Sequence, residues 1–498
     1  YAQIYRDCFL KNTVVEKNGY VCEKDESYTG AIVLTPIPGL HENVVTFDFA
    51  SLYPSVIVEK NICYSTWVID PNIPDEDCHV LEWEDHINCC HDTEKRTDKK
   101  KVMCAKRKYR FLKTPQGILP NILTRLTAER KKVKKELEGV EEKEKEEKDP
   151  LLKKDLKMYA TILDMTQIAI KTVSNSMYGV MGVTEGRLPF MPGAMSTTAG
   201  GRAAIMKAKQ IILDRHPGKV IYGDTDSLMY IFDDMKRFED EKGKIDYKAL
   251  EKFCNKVSEE ISCHFEKPMK LEFENIAEQF FILTKKRYIS KLSNGKVKKR
   301  GIMLTRRDNA ACSRKAYEGL LNLIFQKASF NKICDYIIEA LNQIYSHYYP
   351  SKDYAITKSI KDIDTYKVKA LSTEMVARQR QLNNKFLPFV EPSNPQASKI
   401  EDEYKFRSLP AHVQLAETMR SRGSIVESGS RFAYVVTTKG GPSGKMWQKI
   451  ESLEYYSRHQ GMINLDSNYY GKALINPFDE VLQIMFQRQN FTKQQHKI

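Results

Sequence analysis

The sequence predicts an α+β fold with an antiparallel sheet, and three patterns lead to this prediction. Residues 219–233 form two short apolar runs joined at Gly-Asp-Thr-Asp, which is typical of a β-hairpin. Residues 119–148 carry apolar side chains near helical spacing, and Pro150 can open a second long helix that ends near residue 178. Residues 301–498 are mainly helical in pattern. Strands and long helices in one chain define the predicted class.

Length, composition and charge limit the kind of protein that this is. The chain has 498 residues, 41% of them hydrophobic and 29% charged. It can therefore bury a sizeable core in about two to four domains or subdomains. The net charge of +14 suits a polyanionic partner, because phosphate contacts supply most sequence-independent affinity for nucleic acid. A generally basic, solvated surface is the alternative explanation. No long apolar run is present, so no membrane span is expected.

The 11 cysteines are scattered and odd in number, and no secretory signal precedes them. This pattern predicts a reduced, intracellular protein, without deciding between the nucleus and a cytoplasmic site. A zinc cluster is conceivable at Cys78, Cys89, Cys90, His91 and Cys104, but no tight CxxC pair occurs there, and zinc is not expected. The chain begins at Tyr1 rather than Met, which suggests a fragment of something longer.

Acidic residues at two distant places are candidates for a metal site. Asp224 and Asp226 are two residues apart, and side chains at i and i+2 of an extended segment share a face. Two such carboxylates repel each other unless a cation or a proton intervenes, and Mg²⁺ prefers oxygen ligands. A solvated Asp-rich turn is the alternative. Asp48 ends a second β-run, where a buried unpaired charge would be expensive.

Four segments in one order resemble family B DNA polymerases. They are DFASLYPS at 48–55, KTVSNSMYG at 171–179, YGDTDS at 222–227 and KKRY at 285–288. Segments such as EWEDH at 82–86 and CHD at 90–92 resemble most the polymerases of large nucleocytoplasmic DNA viruses. The resemblance implies a right-hand architecture of palm, two-helix antiparallel fingers and mainly helical thumb. The implied domains are palm at 1–116 with an irregular insertion at about 70–108, fingers at 117–180, palm again at 181–300 and thumb at 301–498.

The resemblance also implies the chemistry. Template-directed synthesis transfers a dNMP from a dNTP to the primer 3′-hydroxyl, and two Mg²⁺ ions can stabilise both ends of that displacement. Asp48 and Asp226 would hold the ions, with Asp224 nearby and the Phe49 carbonyl as a further ligand.

Nucleotide binding is assigned to cations and to the turn after Asp48. Arg130 and Lys134 are four residues apart on one predicted helix, and Lys171 and Asn175 repeat this spacing on the other, so the two faces could meet around a triphosphate. By resemblance, further contacts come from the Ser51 and Leu52 amides, from Tyr53, whose ring would clash with a ribose 2′-hydroxyl, and from Tyr178 below the nascent base pair. The implied DNA contacts are Gly179, Thr225, Lys285, Lys286, Arg287 and Tyr288.

Two other functions were weighed against this one. A catalytically inactive polymerase-like scaffold that binds DNA should have lost a metal ligand, yet Asp48, Asp224 and Asp226 are all present. A reverse-transcriptase-like enzyme would be expected to carry adjacent aspartates. The expected partners are primer–template DNA and dNTPs, with a processivity factor as a further candidate. Only 47 residues precede Asp48, so a 3′→5′ exonuclease domain is not expected within these 498 residues.

Overall fold

A computed structural model describes most of the chain. The described residues are 1–14, 28–85, 105–184, 186–241, 243–361, 366 and 409–486. The chain divides into two compact units. Unit 1 comprises Tyr1–Ile37, His41–Phe280 and Lys291–Lys296, and unit 2 comprises Pro38–Leu40, Phe281–Ser290 and Val297–Ile498.

The described elements up to residue 284 are six α-helices and six strands. In order they are α1 (Ala2–Leu10), β1 (Gly39–Phe49), α2 (Leu52–Glu59), β2 (Cys78–Asp85), β3 (Ala105–Leu112), α3 (Ile118–Glu146), α4 (Pro150–Met181), α5 (Met191–Arg215), β4 (Gly218–Asp224), β5 (Ser227–Phe232), α6 (Tyr247–Ser262) and β6 (Leu271–Thr284).

The later elements are two short strands followed by helices and a small sheet. They are β7 (Arg287–Leu292), β8 (Val297–Arg300), α7 (Ala311–Phe325), α8 (Phe330–Tyr345), β9 (Ile356–Ser359), α9 (Ala411–Ser421), β10 (Arg431–Val436), α10 (Met446–Lys449), β11 (Ile450–Ser452), α11 (Leu453–Arg458) and α12 (Ser467–Phe486). None of the helices in these ranges is long and apolar enough to cross a lipid bilayer.

A six-stranded sheet in the order β4-β5-β1-β6-β7-β8 organises the molecule. Strand β1 lies in its interior and is buried along Val44–Phe47, as its apolar sequence requires. The predicted hairpin is confirmed as β4 and β5, which pair antiparallel. Helix α5 contributes Ile205, Ala208 and Ile212 to the same core as Phe47. Mixed helix and antiparallel sheet confirm the predicted α+β class.

The two long predicted helices are present as α3 and α4. Asp149 caps α4 by accepting a hydrogen bond from the Leu151 amide at 2.8 Å, and Pro150 occupies the first turn, where its missing N–H is harmless. Near the far end of the pair, Val140 of α3 packs with Ala160 and Leu163 of α4. The pair is therefore held by its own small apolar cluster.

One local prediction was wrong in the first part of the chain, and one helix there was missed. The 70–108 segment, expected to be irregular, contains β2 and the start of β3, which pair antiparallel from Cys78↔Leu112 to Asp85↔Ala105. A two-stranded ribbon can stay solvated on one face, so its polar side chains obscure the strand pattern. Helix α1, which buries Ile4 and Cys8, was not predicted from the sequence. Cys89, Cys90, His91 and Cys104 lie outside the described residues.

Unit 2 has its own core. Phe281, Leu283 and Ile289 pack with residues of α7, α8 and α12. The expected helical character is present, but the chain after residue 301 also forms a three-stranded sheet in the order β11-β10-β9. These strands are only three to six residues long, which is why the helical pattern dominates the sequence.

Candidate active site

Strand pairing brings the two distant acidic segments together. In the antiparallel register of β1 and β5, Asp48 lies directly opposite Ser227. The Phe49 amide donates a hydrogen bond of 2.9 Å to the Asp226 carbonyl oxygen. Asp48 and Asp226 are therefore neighbours across two adjacent strands, although 178 positions separate them in the sequence.

The turn between β4 and β5 differs from the extended geometry assumed from the sequence. Thr225 has a φ of 60°, and the Asp226 amide donates to the Asp224 carbonyl oxygen at 2.7 Å. Because the chain bends here, the shared-face argument for Asp224 and Asp226 does not apply. Asp224 is held instead by hydroxyl donors, at 3.0 Å from Thr225 Oγ1 and 3.3 Å from the Tyr222 hydroxyl. The Thr225 amide donates to the Ile32 carbonyl oxygen at 3.1 Å, which fixes the turn from outside.

The electrostatics of this corner show crowded negative charge. Burial raises the pKa of Asp48 to about 7, and the carboxylates of Asp226 and Glu274 add to this rise, while Lys171 opposes it. Burial also raises the pKa of Asp226, with Asp224 and Glu274 contributing in the same direction. Burial disfavours the ionised carboxylates, and each nearby carboxylate adds repulsion.

Sequence reasoning missed Glu272 and Glu274. Both lie on β6, the sheet neighbour of β1, and both raise the pKa of Asp48. Their signal was the alternation in Leu271–Glu274, which marks two acids on one face of a strand. These two acids can be assigned to the site only when β6 is known to lie beside β1, and the sequence does not show which strands are neighbours.

The donor set fits a hard divalent cation. It consists of carboxylate oxygens in a partly desolvated place, where added positive charge would relieve the repulsion that raises the pKa of Asp48. Within the described residues, no three His, Cys, Asp or Glu side chains form a ready-made ion cage. Mg²⁺ commonly takes one or two protein carboxylates and completes its shell with water and substrate phosphate, so two aspartates are compatible with it.

The predicted cationic residues lie on the two facing helices. Arg130 of α3 donates from Nε to the Gln167 side-chain oxygen of α4 at 3.2 Å. Gln167 and Lys171 are four residues apart and share a helix face, so Arg130 and Lys171 lie on facing sides of the pair. Lys171 is exposed and close enough to lower the pKa of both Asp48 and Asp226. Lys134 and Asn175 are exposed one turn further along their helices.

Three tyrosines form a connected group beside the acids. The rings of Tyr53 and Tyr178 are 4.6 Å apart, and the Tyr178 and Tyr28 hydroxyls are 2.9 Å apart. A Cβ at Gly201 of α5 would lie only 2.9 Å from the Tyr53 ring, so glycine makes room for it. Arg202 donates at 2.8 Å to the carbonyls of both Thr29 and Gly30, which anchors the segment that carries Tyr28. Tyr28 and Arg202 were not recognised as site residues from the sequence.

The turn between β1 and α2 leaves backbone donors for an anion. Ser51 adopts a left-handed conformation with φ 52° and ψ 58°, and its side chain does not cap the helix. The first amides of a helix have no intrahelical acceptor, so those of Leu52 and Tyr53 suit a phosphate. The predicted nucleotide contacts of the Ser51 and Leu52 amides and of the Tyr53 ring stay a prediction.

The remaining predicted DNA contacts divide between the two units. Gly179 is exposed on α4, and Thr225 occupies the acidic turn of unit 1. In unit 2, Lys285 and Lys286 are exposed between β6 and β7, and Tyr288 is half-buried in β7. Arg287 is engaged by Glu480 of α12, an arrangement that the sequence did not predict.

Comparison with known proteins agrees with the predicted resemblance. The model of DNA polymerase family B matches residues 2–391. The chain is 35% identical to a DNA polymerase of Invertebrate iridescent virus 3, over 100% of the chain and 48% of that protein. It is 29% identical to the DNA polymerase delta catalytic subunit of Glycine max, over 97% of the chain and 39% of the relative. The predicted similarity to viral polymerases is thus confirmed.

A solved structure shows the same fold. The family B DNA polymerase of the archaeon Pyrobaculum calidifontis aligns with a TM-score of 0.55 and 22% identity, over 98% of this chain and 50% of that one. The chain therefore spans about half the length of the relatives that it matches. Family-wide sequence similarity and the shared architecture point the same way. The chain belongs to DNA polymerase family B.

Proposed function

We propose that this chain catalyses template-directed DNA synthesis, in which a primer 3′-hydroxyl attacks the α-phosphate of a dNTP. The observation that carries the proposal is the pairing of Asp48 with Ser227, which brings Asp48 close enough to Asp226 for the Asp226 carboxylate to raise the pKa of Asp48. The relatives named above are DNA polymerases, including the viral and delta enzymes. No other chemistry accounts as well for paired acids with facing cations.

Asp48 and Asp226 would hold two Mg²⁺ ions, together with the Phe49 carbonyl. When bound, such ions stabilise charge on the attacking and leaving oxygens of an in-line displacement. The protein's own part is electrostatic and positional. The raised pKa of Asp48 supports this role, because burial and crowding leave the carboxylates in need of a cation.

The triphosphate would be held by the facing helices and by the turn after β1. Arg130, Lys134 and Lys171 supply positive charge, and Asn175 can donate from its amide. The Leu52 and Tyr53 amides would meet phosphate oxygens at the start of α2. Positioning and electrostatics of this kind are the main sources of catalysis in phosphoryl transfer.

The deoxyribose would lie against Tyr53. Its ring is packed between Gly201 and Tyr178, so it has little room to move away from an added 2′-hydroxyl. Tyr178 and Gly179 would lie below the new base pair, and Lys285 and Lys286 would contact the phosphates of the primer–template. Phosphate contacts of this kind position a duplex without reading its sequence.

A primer-extension assay on the 498-residue chain tests the proposal. With Mg²⁺ and a labelled primer on a DNA template, each single dNTP should be added only opposite its complementary template base. Single-stranded primer alone should not be extended. Template-independent addition would contradict the proposal. So would the absence of addition when a known DNA polymerase, run in parallel as a positive control, extends the same primer.

Other partners are proposals of a more general kind. A processivity factor is a candidate, because replication polymerases must stay on long templates. We propose a reducing compartment for the protein, in keeping with the free thiols of the described cysteines, which include the buried Cys8, Cys63 and Cys254.

A further inference from the structure

The primer-binding turn of unit 2 is tightly constrained by its own surroundings. β6 ends at Thr284 and β7 begins at Arg287, so Lys285 and Lys286 alone connect them. Lys286 has a φ of 62°, a left-handed conformation that is unfavourable for a residue with a Cβ. Gly301, with a φ of 59°, lies against the Lys286 carbonyl oxygen so closely that a Cβ there would collide with it. The surrounding structure must stabilise such a turn.

The next residue, Arg287, is held by a carboxylate. Its Nη1 and Nη2 donate to Glu480 Oε1 and Oε2 at 2.5 and 2.7 Å, a bidentate geometry. The exposed fractions of the two side chains are 37% and 28%, so the pair is partly sheltered. The hydrogen bonds to Glu480 also raise the pKa of Arg287 above its usual value. Glu480 therefore engages one N–H of each terminal guanidinium nitrogen, and its negative charge offsets the positive charge that would attract a phosphate.

A buried tyrosine lies near the pair. Tyr317 of α7 is fully buried and lies close enough for its pKa to respond to both Glu480 and Arg287. Its hydroxyl has no hydrogen-bond partner within the described residues. The pair thus lies between a packed aromatic ring and solvent, where movement of Arg287 would leave Glu480 without its cation.

We propose that Arg287 and Glu480 are positioning residues, which hold the Lys285–Lys286 turn in its DNA-binding shape, and that Arg287 does not itself contact a DNA phosphate. This proposal rests on the proposed polymerase function and replaces the sequence-based role of Arg287. Lys285 and Lys286 supply the charge for the primer–template, and the ion pair joins their turn to α12.

The sign of one mutational effect separates this proposal from its alternatives. Glu480→Gln removes a negative charge, and simple electrostatics predicts that a polyanion should then bind more tightly. If Glu480 positions the turn, the same change should weaken primer–template binding by roughly three- to tenfold, because the bidentate pair is lost. Binding is measured by fluorescence anisotropy below the unfolding temperature, which is determined for each variant.

A matched control uses the exposed Arg458–Glu454 pair on α11 of the same unit. Glu454→Gln makes the same charge change, and it should leave DNA affinity unchanged or slightly higher. Salt dependence supplies a second readout. Loss of one phosphate contact reduces the slope of log affinity against log salt concentration by about 0.9. We expect no change in this slope for Glu480→Gln, and for Arg287→Ala a reduction well below that of one contact.

A double-mutant cycle completes the test. Arg287→Ala, Glu480→Ala and the double variant should weaken DNA binding by similar factors, since each breaks the same pair. The dNTP concentration for half-maximal extension should stay unchanged in all three, because unit 1 carries that site. Tighter DNA binding by Glu480→Gln, or a full one-phosphate fall in slope confined to Arg287→Ala, would overturn the proposal. A wild-type chain that binds DNA but adds no nucleotide would instead contradict the proposed function.

Discussion

Asp48 shows how one residue's surroundings set its chemistry. Its carboxyl ends a buried strand, and burial together with Asp226 and Glu274 raises its pKa to about 7 from an ordinary 3.8. The sequence predicted an acid at the end of a strand. It did not predict Glu272 and Glu274 on β6, because nothing in a single sequence says which strands become neighbours.

This raised pKa has a consequence for stability when divalent cations are removed by EDTA. Between pH 3.8 and about 7, the folded chain retains a proton at Asp48 that the unfolded chain has lost, so stability falls as pH rises. Asp48→Asn removes this slope. We therefore expect the unfolding temperature of the variant, relative to wild type, to rise between about pH 4 and about pH 7. A difference that stays constant over this range would show that Asp48 titrates normally.

Tyr53 should exclude ribonucleotides. Its ring packs against Gly201 and Tyr178, so it has little room to move, and a ribose 2′-hydroxyl would clash with it. Tyr53→Ala should lower the ratio of dNTP to rNTP incorporation efficiency by roughly tenfold or more, since exclusion of one small group is worth about 1–3 kcal/mol. Tyr159→Ala on the outer part of α4 is the control, and it should leave the ratio unchanged. An unaltered ratio in Tyr53→Ala would remove Tyr53 from this role.

At the scale of elements, helices and strands with a clear apolar pattern were predicted correctly, whereas elements without one were missed. The hairpin at β4 and β5 and the helices α3 and α4 follow from apolar spacing, Pro150 and the Asp149 cap. The β2–β3 ribbon and α1 were missed. The ribbon carries polar side chains on its open face, as at Lys106 and Lys108, and so lacks a clear alternating pattern. The bend at Thr225 depends on a left-handed residue that the sequence does not reveal.

The α3–α4 pair makes a prediction about triphosphate binding. Arg130 and Lys171 face each other across the helix pair, and each is proposed to make a charge-assisted contact. Replacing either with alanine should lower the efficiency of dNTP incorporation by roughly 10- to 100-fold, because such contacts are worth about 1.5–3 kcal/mol. Lys132→Ala, exposed elsewhere on α3, should have little effect. Single-turnover rates measured over a range of dNTP concentrations check this, and unchanged curves for both variants would contradict it.

At the scale of the whole molecule, the two compact units carry different proposed functional residues. Unit 1 holds the acids, the tyrosines and the facing helices, whereas unit 2 holds the KKRY turn and its ion pair. The domain boundaries at residues 116, 180 and 300 stay predictions, since compactness divides the chain near residue 280 instead. Family membership was predictable because four short motifs occur in the expected order. Within unit 1, only the fold explains why the Asp48 and Asp226 segments lie together.

The 498-residue polypeptide, tested as such, is expected to extend primers without trimming them. This expectation concerns these residues alone. A labelled primer with a mismatched 3′ end is incubated with Mg²⁺ and no nucleotide, and its length should not change. Stepwise metal-dependent shortening that persists in Asp226→Asn would reveal a nuclease site separate from the polymerase site.

Asp48 and Asp226 are proposed to act as one metal-holding pair. The most direct test of this proposal is single-turnover primer extension with saturating DNA and Mg²⁺, in Asp48→Asn, Asp226→Asn and the exposed control Asp234→Asn. We expect both site variants to lose extension by at least about a thousandfold, a loss of roughly 4 kcal/mol in transition-state stabilisation. Their primer–template affinity should stay within about threefold of wild type, since neither proposed DNA contact changes. Asp234→Asn should extend normally. Near-wild-type extension by either site variant would contradict the account.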